Sequence, residues 1–273
     1  MTRGAPRATA AVVIATAATA VHVRKVLYFG VSTGARVPWT STSIKTVTFR
    51  QPATTVDVHD YGGPVVVSAG AQGGIQVTEM MSYNGPRPPV QQSVANRQLT
   101  LADPACNGGP CSVAFHVTVP VGTSARLESD GGPITVSGLT ARVDADSGGG
   151  PLTARSVSGG LAARTGGGGL TVRDESGALT ADTGGGPADA TGIAATDVTV
   201  STAGGGAMLA LTLVPHHVQA DSGGGPLTLQ VPGGRYAVSA DSAGGPQDIG
   251  IATDPASPDT ISLSSGGGGI SVR

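Results

Sequence analysis

A glycine-rich turn returns eight times between residues 123 and 273, and it constrains the fold more than any other feature of this chain. Each copy places Ser or Thr ahead of two to four glycines, usually followed by Pro, as in Asp146–Pro151. The turns begin at positions 128, 146, 164, 182, 202, 221, 241 and 264. The step between them is nearly constant and widens at the last one, which is typical of stacked repeats that pack against their neighbours. The glycines predicted to form the turns are Gly131, Gly148, Gly166, Gly184, Gly204, Gly223, Gly244 and Gly266.

Apolar residues alternate with other residues on both sides of each turn. Val143 and Ala145 precede the second turn at alternate positions, and Leu152 and Ala154 follow it in the same way. Because successive side chains of a strand point to opposite faces, this period of two predicts a strand with one buried face on each side of the turn.

The fifth unit keeps this pattern only if its turn begins at Ser201. That alignment predicts an extra residue, and so a β-bulge, at Thr202–Ala203. It also predicts that Met208 and Ala210 point inward and that Leu209 points outward.

These units predict an all-β fold, a parallel β-solenoid (β-helix-like) of about eight turns of 18–20 residues. Eighteen residues at ~3.3 Å each give a path of about 60 Å, enough for one circuit of a flattened coil. Inward positions hold mainly Ala, Val and Leu, and aromatic residues make up 3% of the chain. Small side chains suit an interior only ~10 Å wide. An antiparallel meander or barrel with the same turns is the alternative.

One outward column is predicted to carry charge. If successive circuits stack in register, it contains Glu128, Asp146, Arg164, Asp182, Ser201, Asp221, Asp241 and Ser264. A second outward rank holds Thr135, Thr153, Thr171 and Thr228, which strand propensity alone explains.

Three regions are predicted along the chain. Residues 1–41 form a signal peptide or membrane anchor with a linker, residues 42–122 form a β capping region, and residues 123–273 form the solenoid. The strands predicted in the capping region are Thr46–Phe49, Val56–His59, Val65–Ser68, Gly74–Thr78, Gln98–Ala102 and Val113–Val119.

The N-terminus favours export. Arg3 and Arg7 precede an uncharged stretch over residues 8–23, which has the length of a signal-peptide core and is short of the ~20 residues that cross a bilayer. Apolar character continues to Val31, so attachment to a membrane through residues 8–31 stays open beside cleavage. The predicted localisation is extracytoplasmic, anchored or secreted.

Cys106 and Cys111 lie five positions apart in a loop of Pro, Gly and Asn. Four zinc ligands at matched spacing are lacking, so a local disulfide in an oxidising compartment is favoured. Two unpaired thiols are the alternative.

Composition and motifs argue against several functions. The formal net charge is −2, and no basic stripe suited to nucleic acid is present. The glycine turns lack the Lys and the following helix of a phosphate-binding loop, and the acids precede the glycines, unlike calcium-binding repeats. His216 and His217 are adjacent, so they point to opposite faces of a strand. No catalytic, cofactor-binding or metal-binding residue is predicted, and the protein is predicted not to be an enzyme.

Residues 45–273 resemble the bacterial "putative adhesin" domains of unknown function, of the YvlB-like kind. The resemblance rests on the basic, apolar N-terminus, the stretch Cys106–Pro120, and the repeated turns followed by alternating strands. Family turns commonly read Thr-Gly-Ser-Gly-Asp-Val, whereas here the acid after the turn is mostly missing. The resemblance implies a repetitive parallel β fold outside the cytoplasm, frequently behind one membrane segment, and no established activity.

Three hypotheses for function follow. The first is a cell-surface or secreted scaffold for protein or self interaction, with a free edge for weak self-association at Ile270, Val272 and Arg273. The second is the outer sensor or regulatory domain of an envelope protein. The third is a carbohydrate-active β-helix enzyme that uses Asp146, Asp182 or Asp221.

Overall fold

The computed structural model describes residues 41–70, 73–103 and 110–273, which form 23 strands in two sheets. We name the 12-stranded sheet sheet I and the 11-stranded sheet sheet II. The first seven strands are β1 (Ser41–Phe49), β2 (Thr55–Asp60), β3 (Val65–Ala69), β4 (Ile75–Tyr83), β5 (Gln91–Ala95), β6 (Gln98–Ala102) and β7 (Cys111–Val119).

The repeat region contributes sixteen further strands, which alternate between the two sheets. They are β8 (Ser124–Ser129), β9 (Ile134–Ser137), β10 (Val143–Ser147), β11 (Leu152–Arg155), β12 (Leu161–Thr165), β13 (Leu170–Arg173), β14 (Leu179–Thr183), β15 (Ala188–Ile193), β16 (Asp197–Thr202), β17 (Ala207–Leu211), β18 (His217–Ser222), β19 (Leu227–Gln230), β20 (Ala237–Asp241), β21 (Gln247–Ile249), β22 (Thr260–Ser265) and β23 (Ile270–Val272).

Each glycine turn joins one strand of sheet II to one strand of sheet I, and we call this strand–turn–strand unit a rung. Neighbouring rungs pair in parallel and in register, so that Val143 lies beside Leu161 and Ser147 beside Thr165. The predicted parallel β-solenoid is therefore confirmed, and the antiparallel meander or barrel is wrong.

The core is a set of apolar columns between the two sheets. Residues that alternate along each strand, such as Val143, Leu152 and Leu170, are at most 2% exposed. In a parallel stack each of them packs on its equivalent one strand away, about 4.8 Å distant. The sequence period of two thus gives the buried face of most strands from β8 to β19, with β17 as an exception.

The capping region joins the stack and covers one of its ends. β2 pairs in parallel with β8, and β3 with β9, so these two strands form an additional rung. β6 and β7 continue the two sheets beyond it. β4 and β1 then extend sheet I, and β5 extends sheet II, all by antiparallel pairing. The six strands predicted here are confirmed, and β5 was not predicted.

The structure corrects the prediction for the fifth unit. Ser201 does align with Asp182, but Ala207 then pairs with Ala188 at the same spacing, so no extra residue lies at Thr202–Ala203. The irregularity lies instead at Thr191/Ile193. Because a shift by a single position exchanges the two faces of a strand, Leu209 is buried and Met208 is 44% exposed, opposite to the prediction.

The rungs do not stack in the order of the sequence. β22 lies between β18 and β20, and β23 lies between β19 and β21. The outermost rung is therefore the one built from β20 and β21. The long link between β21 and β22 lets the chain return inward by one rung.

The predicted N-terminal signal or anchor at residues 1–41 lies outside the described residues, except for Ser41. Within the described ranges, no helix has the length and hydropathy needed to span a membrane.

Candidate interaction surface

Bare backbone forms the edge of the stack that carries the turns. A Cβ placed on Gly166 would lie 2.1 Å from the carbonyl oxygen of Gly148 on the neighbouring rung, and one on Gly168 would lie 2.1 Å from that of Gly150. Close approach of neighbouring rungs, at φ values that need no glycine, therefore excludes side chains here. Of the predicted turn glycines, the first, crowded position holds Gly148, Gly166, Gly184, Gly223 and Gly266, and the middle position holds Gly131, Gly204 and Gly244.

The middle glycine of each turn lies in more open space. A Cβ on Gly131, Gly167 or Gly185 would meet no atom within 4 Å, and none of these three residues has a positive φ. The third turn position, that of Gly150 and Gly168, is glycine in every turn and is required by packing. The first position also accepts Asp130, Ala203 and Ala243, and the middle glycines meet no close neighbour.

Buried hydroxyl groups close the turns from inside. Ser147 Oγ donates a hydrogen bond of 2.7 Å to the carbonyl oxygen of Gly150, and Ser222 Oγ donates one of 2.6 Å to that of Gly225. The Ser or Thr ahead of the glycines makes the same bond in every predicted turn after the first. It thereby satisfies a carbonyl group that packing shields from water.

A ninth turn, missed by the sequence interpretation, lies in the capping region. Asp60 pairs with Ser129, so that Asp60-Tyr61-Gly62-Gly63-Pro64 matches Ser129–Pro133 position for position. The signal was present as Gly-Gly-Pro after the alternating Val56 and Val58. Asp in place of Ser or Thr concealed it.

The outer face of sheet II carries the predicted column of charges, and His59 extends that column by one rung. His59 Nδ1 lies 2.9 Å from Glu128 Oε2, and Arg126 Nη2 donates a hydrogen bond of 2.8 Å to Glu128 Oε1. The hydrogen bond from Arg126 lowers the pKa of Glu128. Arg142 and Asp144 form a second pair at 2.8 Å. A shallow cavity of about 260 Å³ on this face is lined by Arg126, Leu127, Glu128, Asp144, Ala145, Asp146 and Arg164.

The outer face of sheet I carries hydroxyl groups and arginines instead. Thr135, Thr153 and Thr171 lie in register on adjacent strands. Two positions further along the same strands, Arg155 lies beside Arg173, and both side chains are exposed. The two faces of the stack thus offer different chemistry at the same regular spacing.

The carboxylates of the enzyme hypothesis share one column without being adjacent in it. Arg164 lies between Asp146 and Asp182, and Ser201 lies between Asp182 and Asp221. Carboxylates two strands apart are separated by about 9–10 Å in a parallel stack. No cluster of three or more His, Cys, Asp or Glu suited to a metal ion occurs in the described parts of the chain.

The two adjacent histidines have separate partners. His216 Nδ1 lies 2.9 Å from Asp259 Oδ1, and His217 Nδ1 lies 3.0 Å from Thr260 Oγ1. The structure therefore does not bring them together as a joint site.

Four carboxyl groups that the described residues bury, those of Asp60, Glu79, Asp103 and Glu175, were not predicted. Burial raises the pKa of Asp60 to about 7, that of Asp103 to about 6 and that of Glu175 to about 7. Burial also raises the pKa of Glu79, beside Lys45. The backbone N–H of Gly62 donates to Asp60, and that of Gly177 donates to Glu175, each at 3.0 Å. Glu175 follows Val157 by one full repeat, and this spacing was the signal that it occupies an inward position.

The structure corrects the position of the free edge. Ile270 and Val272 are at most 2% exposed, and their strand is paired on both sides, so the predicted edge at residues 270–273 is wrong. The reason is the inward return of the last rung. β20 and β21 form the edge instead, beside a cavity of about 520 Å³ lined by Ala237, Val238, Ser239, Ala240, Gln247, Ile249, Thr253 and Pro255.

The predicted disulfide reaches outside the described residues. Cys111 begins β7, whereas Cys106 belongs to residues 104–109. The pairing of these two cysteines stays a prediction.

Known proteins offer similarity in structure but not in sequence. No family model matches the chain, and no curated protein matches it. It is similar to a "putative adhesin" from Bacteroides fragilis, with 15% identity, a TM-score of 0.48, and coverage of 84% of this chain and 97% of that one. It is also similar to a "putative adhesin" from Parabacteroides merdae, with 13% identity, a TM-score of 0.47, and coverage of 86% and 97%. A "putative cell adhesion protein" from Clostridium sporogenes shows 12% identity, a TM-score of 0.31, and coverage of 85% and 98%.

Proposed function

We propose that this protein is a non-enzymatic, extracytoplasmic scaffold of the adhesin-like kind, whose outer sheet faces bind a partner on the cell surface. The observation that carries the proposal is the register of the stack, which repeats outward side chains in columns on two faces. A face of this kind offers many weak, identical contacts to an extended or repetitive partner.

The composition of the two faces supports the same function. Most outward side chains are Thr, Ser, Asp, Glu and Arg, which present hydrogen-bond donors and acceptors to water. Extracytoplasmic placement is supported by the uncharged residues 8–23 and by the predicted disulfide. The sensor alternative depends on residues 8–31, which lie outside the described residues, and it stays a prediction that N-terminal sequencing of the mature protein would test.

Binding of the labelled full chain to intact bacterial envelopes tests the proposal. One variant changes sheet II through Asp144→Lys and Asp146→Lys, and the other changes sheet I through Thr153→Glu and Thr171→Glu. We expect one of the two variants to lose at least about tenfold in affinity while the other binds like the wild type.

Two results would contradict the scaffold function. In the first, wild-type protein does not bind envelopes, or both variants bind them as the wild type does. In the second, a panel of glycans reveals turnover that Asp146→Asn, Asp182→Asn or Asp221→Asn abolishes. The latter result would establish the enzyme hypothesis instead.

A further inference from the structure

Two arginines lie side by side on the outer face of sheet I. Arg155 ends β11 and Arg173 ends β13, and the two residues are direct neighbours in the parallel ladder. Both side chains are exposed. Ser137 lies on the rung before them and Thr191 on the rung after, and Arg173 Nη1 donates to Thr191 Oγ1 at 3.4 Å.

These two arginines differ from those on the opposite sheet. Arg126 and Arg142 each pair with a carboxylate two positions further along the chain, at 2.8 Å. Among the described residues, no ion pair includes Arg155 or Arg173. Like charges one strand apart repel by about 1 kcal/mol in water. Their positive charge is thus available to an external anion.

Hydroxyl groups surround the arginine pair at regular intervals. Thr153 and Thr171 lie two positions earlier on the same strands, with Thr135 on the preceding rung. The patch therefore combines two planar guanidinium groups, each able to bind a carboxylate or sulfate through two hydrogen bonds, with neutral donors and acceptors. Asp189 lies beside Thr171 on the next rung and bounds the patch.

A patch with these groups fits an acidic polysaccharide better than a nucleic acid. Single-stranded nucleic acids bind through aromatic stacking combined with a basic groove, and the outer columns of β9 to β15 contain no aromatic side chain. A polysaccharide presents hydroxyl groups and isolated anionic groups along an extended chain, which the alternating hydroxyls and arginines can match.

We propose that Arg155, Arg173 and the adjoining threonines on sheet I bind the carboxylate or sulfate groups of an acidic polysaccharide. The inference rests on the proposed scaffold function and specifies the chemistry of its partner. It requires no change in the fold, because the charged side chains already face solvent.

The test measures binding of polygalacturonate and of chondroitin sulfate to the full chain by isothermal titration calorimetry, with neutral dextran and single-stranded DNA as comparison polymers. The test variant is Arg155→Gln/Arg173→Gln. The matched control is Arg126→Gln/Arg142→Gln, which removes the same charge from the opposite sheet. We expect both acidic polysaccharides to bind in low salt and the test variant to lose at least about tenfold, whereas the control retains its affinity.

A further variant separates geometry from charge. Arg155→Lys/Arg173→Lys retains the charge but loses the planar fork, so we expect an affinity between those of the wild type and the Gln variant. No binding of either acidic polymer, an equal loss in both Gln variants, or preference for DNA would overturn the proposal. Envelope binding that persists in Arg155→Gln/Arg173→Gln would overturn this inference while leaving the scaffold function intact.

Discussion

The first rung, in the capping region, and the rungs of the repeat use the same turn with opposite hydrogen-bond chemistry. In the repeat, a hydroxyl such as that of Ser147 donates to a turn carbonyl group. In the first rung, Asp60 accepts from the backbone N–H of Gly62. Ser129, on the rung between them, accepts from the backbone N–H of Gly132.

This difference separates a pH-independent turn from a pH-dependent one. A hydroxyl group serves as donor or acceptor at any pH in the ordinary range. A buried carboxyl group whose pKa is raised favours folding while it is protonated. Its contribution is complete below its unfolded pKa of about 4, and it is lost as the pH rises through the folded pKa. For Asp60, whose folded pKa is about 7, the contribution is lost progressively between about pH 4 and pH 7.

The largest expected effect tests whether the two kinds of rung share one turn geometry. We expect Gly168→Ala to lower the free energy of unfolding by about 3 kcal/mol or more, because its Cβ would overlap a backbone carbonyl group. Gly63→Ala in the first rung should behave alike, since its Cβ would lie 1.7 Å from the carbonyl oxygen of Val113.

The middle glycines provide matched controls for these variants. Gly167→Ala and Gly62→Ala place a Cβ in open space, so we expect changes within about 1 kcal/mol of zero in urea unfolding. A middle glycine as costly to replace as its neighbour would refute the close-approach explanation.

Asp60→Ser should convert the first rung to the repeat type. We expect it to raise the free energy of unfolding by about 1–3 kcal/mol at pH 8, where the buried carboxylate of the wild type is charged, and to have a smaller effect at pH 5. Chemical denaturation from pH 5 to pH 8 measures the difference. Asp146→Ser, at an exposed position of sheet II, is the control and should leave the pH dependence unchanged. If Asp60→Ser does not reduce the pH dependence of the free energy of unfolding, that dependence arises from other groups.

Glu175 is a buried carboxyl group within the repeat, as Asp60 is in the first rung. Replacing it tests whether a buried carboxyl group makes the stability of the repeat depend on pH. Glu175 is 1% exposed, with Val157 in the equivalent position of the preceding rung. We expect Glu175→Leu to raise the free energy of unfolding by about 1–2 kcal/mol at pH 8, because it removes a buried charge without a partner of opposite sign. The gain should shrink at pH 5, where the carboxyl is protonated. Equal gains at both pH values would exclude ionisation as the cause, and Glu175→Gln measures the cost of the polar group alone.

The smallest expected effect concerns the two ends of the stack. Antiparallel strands cover the first end, whereas β20 and β21 leave Val238, Ala240 and Ile249 only partly buried at the other. We expect weak self-association at this end, with a Kd of about 0.1–1 mM in sedimentation equilibrium. Ala237 donates inward to Asp259, and N–H directions alternate along a strand, so the N–H of Ala240 points to the free side of β20. Ala240→Pro removes this donor from the edge and should reduce the association. Strictly monomeric behaviour at high concentration would refute it.

Much of the fold could be predicted from the sequence. The alternation of apolar residues and the nearly constant spacing of the turns are both visible within one or two neighbouring repeats. Most inward residues, such as Val143 and Leu152, are identified by this pattern. The ninth turn was not recognised because Asp60 occupies the position that holds Ser or Thr in the other turns. The Asp60 carboxylate accepts a hydrogen bond from the backbone, whereas the hydroxyl groups of the later turns donate one. Met208 was assigned to the wrong face because adjacent apolar residues leave the register of β17 ambiguous to within one position.

The order of the rungs and the charged surface patches depend on distant parts of the chain. Every rung has similar buried apolar residues, so the local pattern fits either stacking order of the last two rungs. The only sequence signal for the observed order is the longer spacing between the turns at 241 and 264. The pairing of Arg155 with Arg173 follows from the register once the stack is known. That the described residues provide no carboxylate partner for either arginine depends on side-chain positions, which the sequence pattern does not specify.

The inward return of the last rung also governs how the chain can fold as it is made. If the rungs were stacked in the order of the sequence, each newly synthesised rung could pair directly with the rung before it. Residues 237–249 are made first, yet their native neighbours are residues 260–272, so their final position forms only after those later residues have left the ribosome and entered the gap. The stack can therefore be completed only after both of the last two rungs have been synthesised.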